Sequence, residues 1–335
     1  MIKYWTALAC IYLLTSCSKK TNGQVIPGTA RAHILGYCMR QDTWAAAVSQ
    51  LDLSRLTDLN LAFFNPTADG SFSACNMADL QQVITSAHAA NVRVYLAIGG
   101  GDPPPTMADW MAADKRHTLI ANIVSLAHAV NADGVDADLE NTLIVADTAR
   151  YAAFIAALQT ALHAQQKLLS SAQVYWSSTR QYISDATLQR FDYINIMSYD
   201  STGFWDPSRP GPHASYSMAV RDLNFYLDRG IPGSKLLLGV PFYGYAFGPG
   251  FPPTGATASF NYKDLVRTYP GAENSDSIVV KDKGTIYYNG VPTIQAKVAY
   301  AKSRNAAGIM IWELHQDLPA SDPGSLLTTI YNSLY

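Results

Sequence analysis

An α/β (β/α)8 TIM barrel is the fold this sequence predicts, and three observations predict it. Strand-like apolar runs recur eight times from residue 33 onward, Ala-rich amphipathic segments separate most of them, and 335 residues suit one large barrel. An open, doubly wound sheet is the competing arrangement. It is disfavoured because the turn after the first run, "GYCMRQDTW", holds no G-x-G-x-x-G.

In chain order the runs are "HILGYC" (33–38), "DLNLAFF" (58–64), "RVYLAIGG" (93–100), "DGVDADLE" (133–140), "LLSSAQV" (168–174), "YINIMSY" (193–199), "LLLGVPF" (236–242) and "GIMIWEL" (308–314). Most are short and continuously apolar, as strands buried on both faces should be. The intervening stretches Ala78–Ala90, His117–Val130, Thr148–Gln165 and Ala219–Arg229 carry apolar residues at helical spacing. One connection breaks the rhythm. Residues 244–293 are far too many for an ordinary loop, and they predict a small α+β insertion between strand 7 and helix 7. Within it "YKDLVRTY" reads as helix, and "TIYYNGVPT" reads as a hairpin turning at Asn289-Gly290.

Composition narrows the function. A formal net charge of −2 gives no field for nucleic acid and no polybasic patch for a membrane. The seven His are scattered without H-E-x-x-H or zinc spacing, so neither metal nor other cofactor is expected. Twenty Tyr and six Trp supply rings that suit stacking on sugars as well as filling a core.

The amino terminus, "MIKYWTALACIYLLTSCSKK", has Lys3, an apolar run from Tyr4 to Leu14 and then small residues. That run is too short to span a bilayer and reads as an export signal. Leu14-Thr15-Ser16-Cys17 resembles the lipobox of bacterial lipoproteins, which implies cleavage before Cys17 and lipidation of that residue. The plainer alternative is an ordinary signal peptide with an incidental Cys17. The expected division is signal peptide 1–16, tether 17–30 and barrel 31–335, in an exported monomer held to a bacterial membrane by its lipid alone. Cys38 and Cys75 are then left in the barrel, to pair or to remain as free thiols.

The chemistry concentrates in "DGVDADLE". Side chains two apart on a strand share a face, so Asp136, Asp138 and Glu140 point together into the barrel while Val135, Ala137 and Leu139 pack outward. Glu140 falls at the carboxyl end, where barrel enzymes keep their chemistry. Three crowded carboxylates do not all ionise cheaply, so at least one keeps its proton near neutral pH and is available as a general acid. An EF-hand reading fails, because the sixth position counted from Asp136 is Asn141 rather than Gly.

This stretch is similar to the D-G-x-D-x-D-x-E motif of glycoside hydrolase family 18, the chitinases and endo-β-N-acetylglucosaminidases. The likeness extends in order through "LAFF", "AIGG", "MSYD", "GVPFYG" and "GIMIWEL", over nearly all of residues 33–335. The resemblance implies a retaining hydrolase without an enzyme nucleophile, in which the substrate's 2-acetamido oxygen attacks and an oxazolinium ion forms. By position it makes Glu140 the acid and then the base, Asp138 the group that orients the acetamido N–H, and Asp136 its proton-sharing partner. Tyr199 would donate to the acetamido oxygen and Asp200 would bind the same sugar. Met197 would line the pocket, Trp312 would floor it, and Tyr37 and Phe63 would close it. Tyr243, with Phe204, Trp205 and Phe247, is an aromatic candidate for further sugar contacts.

Three departures from the family pattern stand out. Ala97 replaces the Ser of S-x-G-G, Asn141-Thr142 follow the Glu where many chitinases have Tyr-Pro, and Tyr245 stands at a frequent Arg. The implied partner is an N-acetylglucosamine-containing polysaccharide or oligosaccharide, chitin first. The chitobiose core of N-glycans and peptidoglycan are the alternative polymers. A non-catalytic chitin-binding lectin and a glycan-uptake binding protein are the non-enzyme alternatives, and the presence of Glu140 argues against both.

Overall fold

The computed structural model describes Met1 and residues 31–72, 76–140, 147–174, 183–254 and 258–335. The signal, lipobox and tether fall outside the described residues, and residues 32–335 form one compact unit. In the main unit eight parallel strands close into a barrel. They are β1 (His33–Met39), β2 (Asp58–Ala62), β3 (Arg93–Gly100), β4 (Gly134–Leu139), β5 (Leu168–Gln173), β6 (Tyr193–Ile196), β7 (Leu236–Pro241) and, last in sequence, β12 (Gly308–Trp312). Closure is direct: β1 pairs with β2 through Leu35–Asp58 and with β12 through His33–Gly308.

Helices wrap the outside where periodicity placed them: α1 (Met77–Ala89), α2 (Arg116–Ala129), α3 (Thr148–His163) and α4 (Tyr216–Asp228). Their starts are fixed by side-chain caps that occupy otherwise unpaired amides, Asn76 for α1, Asp147 for α3 and Ser215 for α4. The outward-facing strand residues, Val135, Ala137 and Leu139 among them, join the helices in one fully buried apolar layer. Inside the barrel lies a second, smaller cluster that includes Leu35, Tyr37, Ala97, Ala172, Leu237 and Met310.

Several strands end earlier than their apolar runs. β2 stops at Ala62 and β6 at Ile196, so Phe63, Met197 and Tyr199 lie just past the ladders, at the barrel mouth.

The insertion is α+β, as expected. It is a four-stranded antiparallel sheet in the order β10 (Ser277–Val280), β11 (Gly284–Tyr287), β8 (Tyr243–Phe247), β9 (Ser259–Asn261), with helix α5 (Tyr262–Thr268). The expected turn at Asn289-Gly290 is wrong. The β10–β11 hairpin turns at residues 281–283, with Asp282 at φ 60° and Gly284 at φ 138°. Gly290 instead caps helix α6 (Val291–Ser303), and its amide donates to Asp276 Oδ1 at 2.9 Å. Pro292, in the first turn of that helix, favours a helix start over a strand here.

Candidate active site

Asp136 and Asp138 project inward from β4 with 0% and 3% exposure, and Glu140 follows the strand's last residue, partly open to solvent. The register sets Ala97 opposite Asp136 and Gly99 opposite Asp138. Gly99 has φ 100°, and a Cβ there would lie 2.1 Å from the Asp138 carbonyl oxygen, so only glycine lets β3 run this close to the ladder. At Gly100, φ 91°, a Cβ would strike the Phe63 ring at 2.9 Å. The "AIGG" sequence thus makes room both for the acidic strand and for an aromatic wall.

Each carboxyl group has its own environment. Asp136 is surrounded by neutral donors: Tyr37 Oη gives to Oδ2 at 2.6 Å, while Ser170 Oγ and Asn195 Nδ2 give to Oδ1 at 2.5 and 3.0 Å. Burial pushes its proton affinity up, and these hydrogen bonds oppose that push. Asp138 Oδ1 is buried with no hydrogen-bond partner. Burial first, then the charges of Glu140 and Asp136, hold Asp138 well above the usual carboxylate range. Glu140 is pushed up to about 7, chiefly by burial and then by the negative charge of Asp200.

Asp200 is itself clamped. Its Oδ1 accepts from Tyr243 Oη at 2.6 Å and Tyr245 Oη at 3.1 Å, and lies 3.2 Å from His213 Nδ1. Tyr245, at the position of the frequent family Arg, therefore holds Asp200 with a neutral hydroxyl. Tyr199 is buried, its hydroxyl reaches Met310 Sδ at 3.8 Å, and its ring meets Tyr243 edge-on at 6.3 Å. The Trp312 ring lies 5.2 Å from the Tyr37 ring and 5.9 Å from Phe63, to whose plane it is inclined by 29°.

These groups surround a cleft of about 180 Å³ lined by Phe63, Gly101, Asp138, Glu140, Val174, Met197, Tyr199, Asp200 and Trp312. Of the sequence candidates, Asp136, Tyr37 and Tyr243 are not in that lining: the first two lie beneath it, and Tyr243 supports Asp200. Sequence reasoning missed Ser170, Asn195, His213 and Gly101. Asn195 had a signal, since it shares inward parity with Met197; Ser170 and Ser171 are adjacent, and nothing in the run says which faces in. Asn141, Thr142 and Cys75 lie outside the described residues, while Cys38 is a buried free thiol. Among the described residues no group of three or more His, Cys, Asp or Glu side chains could hold a metal ion.

A family model described as "Glycosyl hydrolases family 18" matches residues 33–317, most of the chain. The chain belongs to glycosyl hydrolase family 18. Among solved family 18 structures, it is similar to the chitinase ChiB from the chitin utilization locus of Flavobacterium johnsoniae, with 31% identity, 91% of this chain and 94% of that chain covered, and a TM-score of 0.78. A chitinase from Bacteroides thetaiotaomicron is 27% identical, with 90% and 96% covered and a TM-score of 0.78. A chitinase-like effector of Moniliophthora roreri is 28% identical over 266 residues, 71% of this chain; the match spans 63% of that relative's length. This family 18 enzyme is thus similar to chitinases of two bacteria over 91% and 90% of its length.

Proposed function

We propose that the chain hydrolyses β-1,4 bonds beside N-acetylglucosamine, in chitin or chito-oligosaccharides, with retention and with the substrate's own acetamido oxygen as nucleophile. The observation that carries the reading is the convergence of Asp138, Glu140, Tyr199 and Trp312 on one cleft. Glu140 keeps its proton close to neutral pH, so it is able to protonate the leaving oxygen; as a carboxylate it then takes a proton from the attacking water. Asp138, with Oδ1 unpartnered, would accept the acetamido N–H and sit beside the developing positive charge. The Tyr199 hydroxyl would donate to the acetamido oxygen, and the Trp312 ring would underlie the sugar. Relatives described as chitinases support chitin as the polymer. A second cleft, lined by Phe204, Phe247 and Phe251, offers further rings for a sugar chain, and Phe204 packs 5.8 Å from Tyr245.

Incubation with a chitin hexamer, followed by proton NMR, tests this. Shorter oligomers should appear with the β-anomer first, since two displacements at one carbon restore configuration. An initial α-anomer would overturn the mechanism; cleavage of a high-mannose glycopeptide or peptidoglycan in place of the hexamer would overturn the substrate.

At the amino terminus we read Cys17 as the lipid attachment point, on the strength of "LTSC" after an apolar export segment. The full-length protein expressed in a bacterial host should enter the detergent phase on phase separation, and Cys17→Ala should remain unacylated and uncleaved at that site. A wild-type protein that stays in the aqueous phase with its mature end elsewhere would refute the anchor.

A further inference from the structure

In the β3–β4 register Ala97 stands opposite Asp136, so β3 offers only a methyl group where the family pattern leads one to expect a serine hydroxyl. Strand β5 supplies the hydroxyl instead. We infer that Ser170 is a positioning residue for the reaction: it holds the negative charge on Asp136 and thereby keeps the ladder's shared proton on Asp138, next to Glu140. The inference rests on the hydrolase reading above.

The geometry is closed and specific. Asp136, Ser170 and Asn195 are all 0% exposed and Tyr37 is 1% exposed. Asp136 is faced by Tyr37 from β1, Asn60 from β2, Ala97 from β3, Asp138 from its own strand, Ser170 from β5 and Asn195 from β6. The titratable neighbours are Tyr37 and Asp138, with Tyr151, Tyr199 and Glu140 further out. Burial pushes the Tyr37 phenol well up, so it stays a donor. Asp136 therefore relies on neutral donors, and the shortest of its hydrogen bonds comes from Ser170. Hydrogen bonds to an ionised acceptor are about twice as strong as neutral ones, so each donor shifts the shared proton away from Asp136.

Where that proton sits decides how acidic Glu140 is. With the proton on Asp138, the neighbour of Glu140 is neutral. Without the Ser170 hydroxyl, Asp136 binds the proton more tightly and Asp138 carries the charge. That like charge raises the proton affinity of Glu140, which becomes a weaker acid and stays protonated to higher pH.

The test is Ser170→Ala in the full chain, assayed on chito-oligosaccharides across pH. The expected result is a fall in kcat of about tenfold with KM nearly unchanged, and a basic limb of the pH–kcat profile displaced to higher pH. Ala97→Ser added to Ser170→Ala returns a hydroxyl to Asp136 from the opposite strand and should recover most of the loss. Ser170→Cys, close in size and a weak donor, should fall between wild type and Ser170→Ala, and it serves if the alanine variant does not fold. An unchanged kcat, an unmoved basic limb, or a loss that Ala97→Ser leaves in place would overturn the inference. Wild-type protein inactive on these substrates would overturn the hydrolase reading together with it, whereas an active wild type with an unaffected Ser170→Ala would overturn this inference alone.

Discussion

Glu140→Gln should yield a folded protein that still binds chito-oligosaccharides but turns them over at least ~10²–10⁴-fold more slowly. The amide keeps the size and much of the polarity of the carboxyl group, so the cleft is preserved while the transferable proton is lost. The pH profile of the unmodified enzyme should point to the same group. Glu140 is held up to about 7, first by burial and then by Asp200, so its acid form prevails below that pH. Activity should therefore decline as pH rises through about 7. Asp200→Asn removes a negative charge from the neighbourhood and should move the decline to lower pH. Binding measured by calorimetry, beside turnover measured by reducing-end release, separates the two effects. Substantial hydrolysis by Glu140→Gln would end the assignment of this residue.

The second large effect concerns the substrate rather than the enzyme. Oligomers with glucosamine in place of N-acetylglucosamine at the sugar undergoing attack should be nearly inert, because in the proposed mechanism the acetamido oxygen displaces the leaving group and here it is missing. A thiazoline that mimics the cyclised intermediate should inhibit tightly, since it presents its ring to Asp138 and Tyr199 in the geometry of the transition state. If Asp138 were itself the nucleophile, the 2-substituent would matter little and a covalent sugar–enzyme adduct should be trapped by mass spectrometry. Efficient cleavage of the deacetylated oligomer would favour that alternative.

Much of this site was legible because its geometry is local. Period two along "DGVDADLE" puts three acids on one face whatever surrounds them, and the eight apolar runs put that face inside a barrel. What could not be read depends on partners from other strands. Ser170 reaches Asp136 only because β4 and β5 align those two residues side by side. His213 and Tyr245 meet at Asp200 because the loop after β6 folds against the insertion. Asn289-Gly290 misled for the opposite reason: a strong turn signal was overridden by Pro292 and by Asp276, which hold the segment as a helix start. Met197 and Tyr199 were given the right facing but the wrong element, since apolar character continues past the end of the β6 ladder.

The seam between β1 and β12 has a bearing on the order in which the enzyme comes into being. Tyr37, which supports Asp136, is on the first barrel strand, and Trp312, which floors the cleft, is on the last. During synthesis the acidic strand exists long before its floor, and β12 must slot between β1 and β7 to complete the ring. Contacts this distant along a chain are the slowest to form. Hydrolytic competence should therefore arrive at a stroke, when the final strand docks, and a nascent chain that has not reached residue 312 carries its acidic ladder without the ring that completes the cleft.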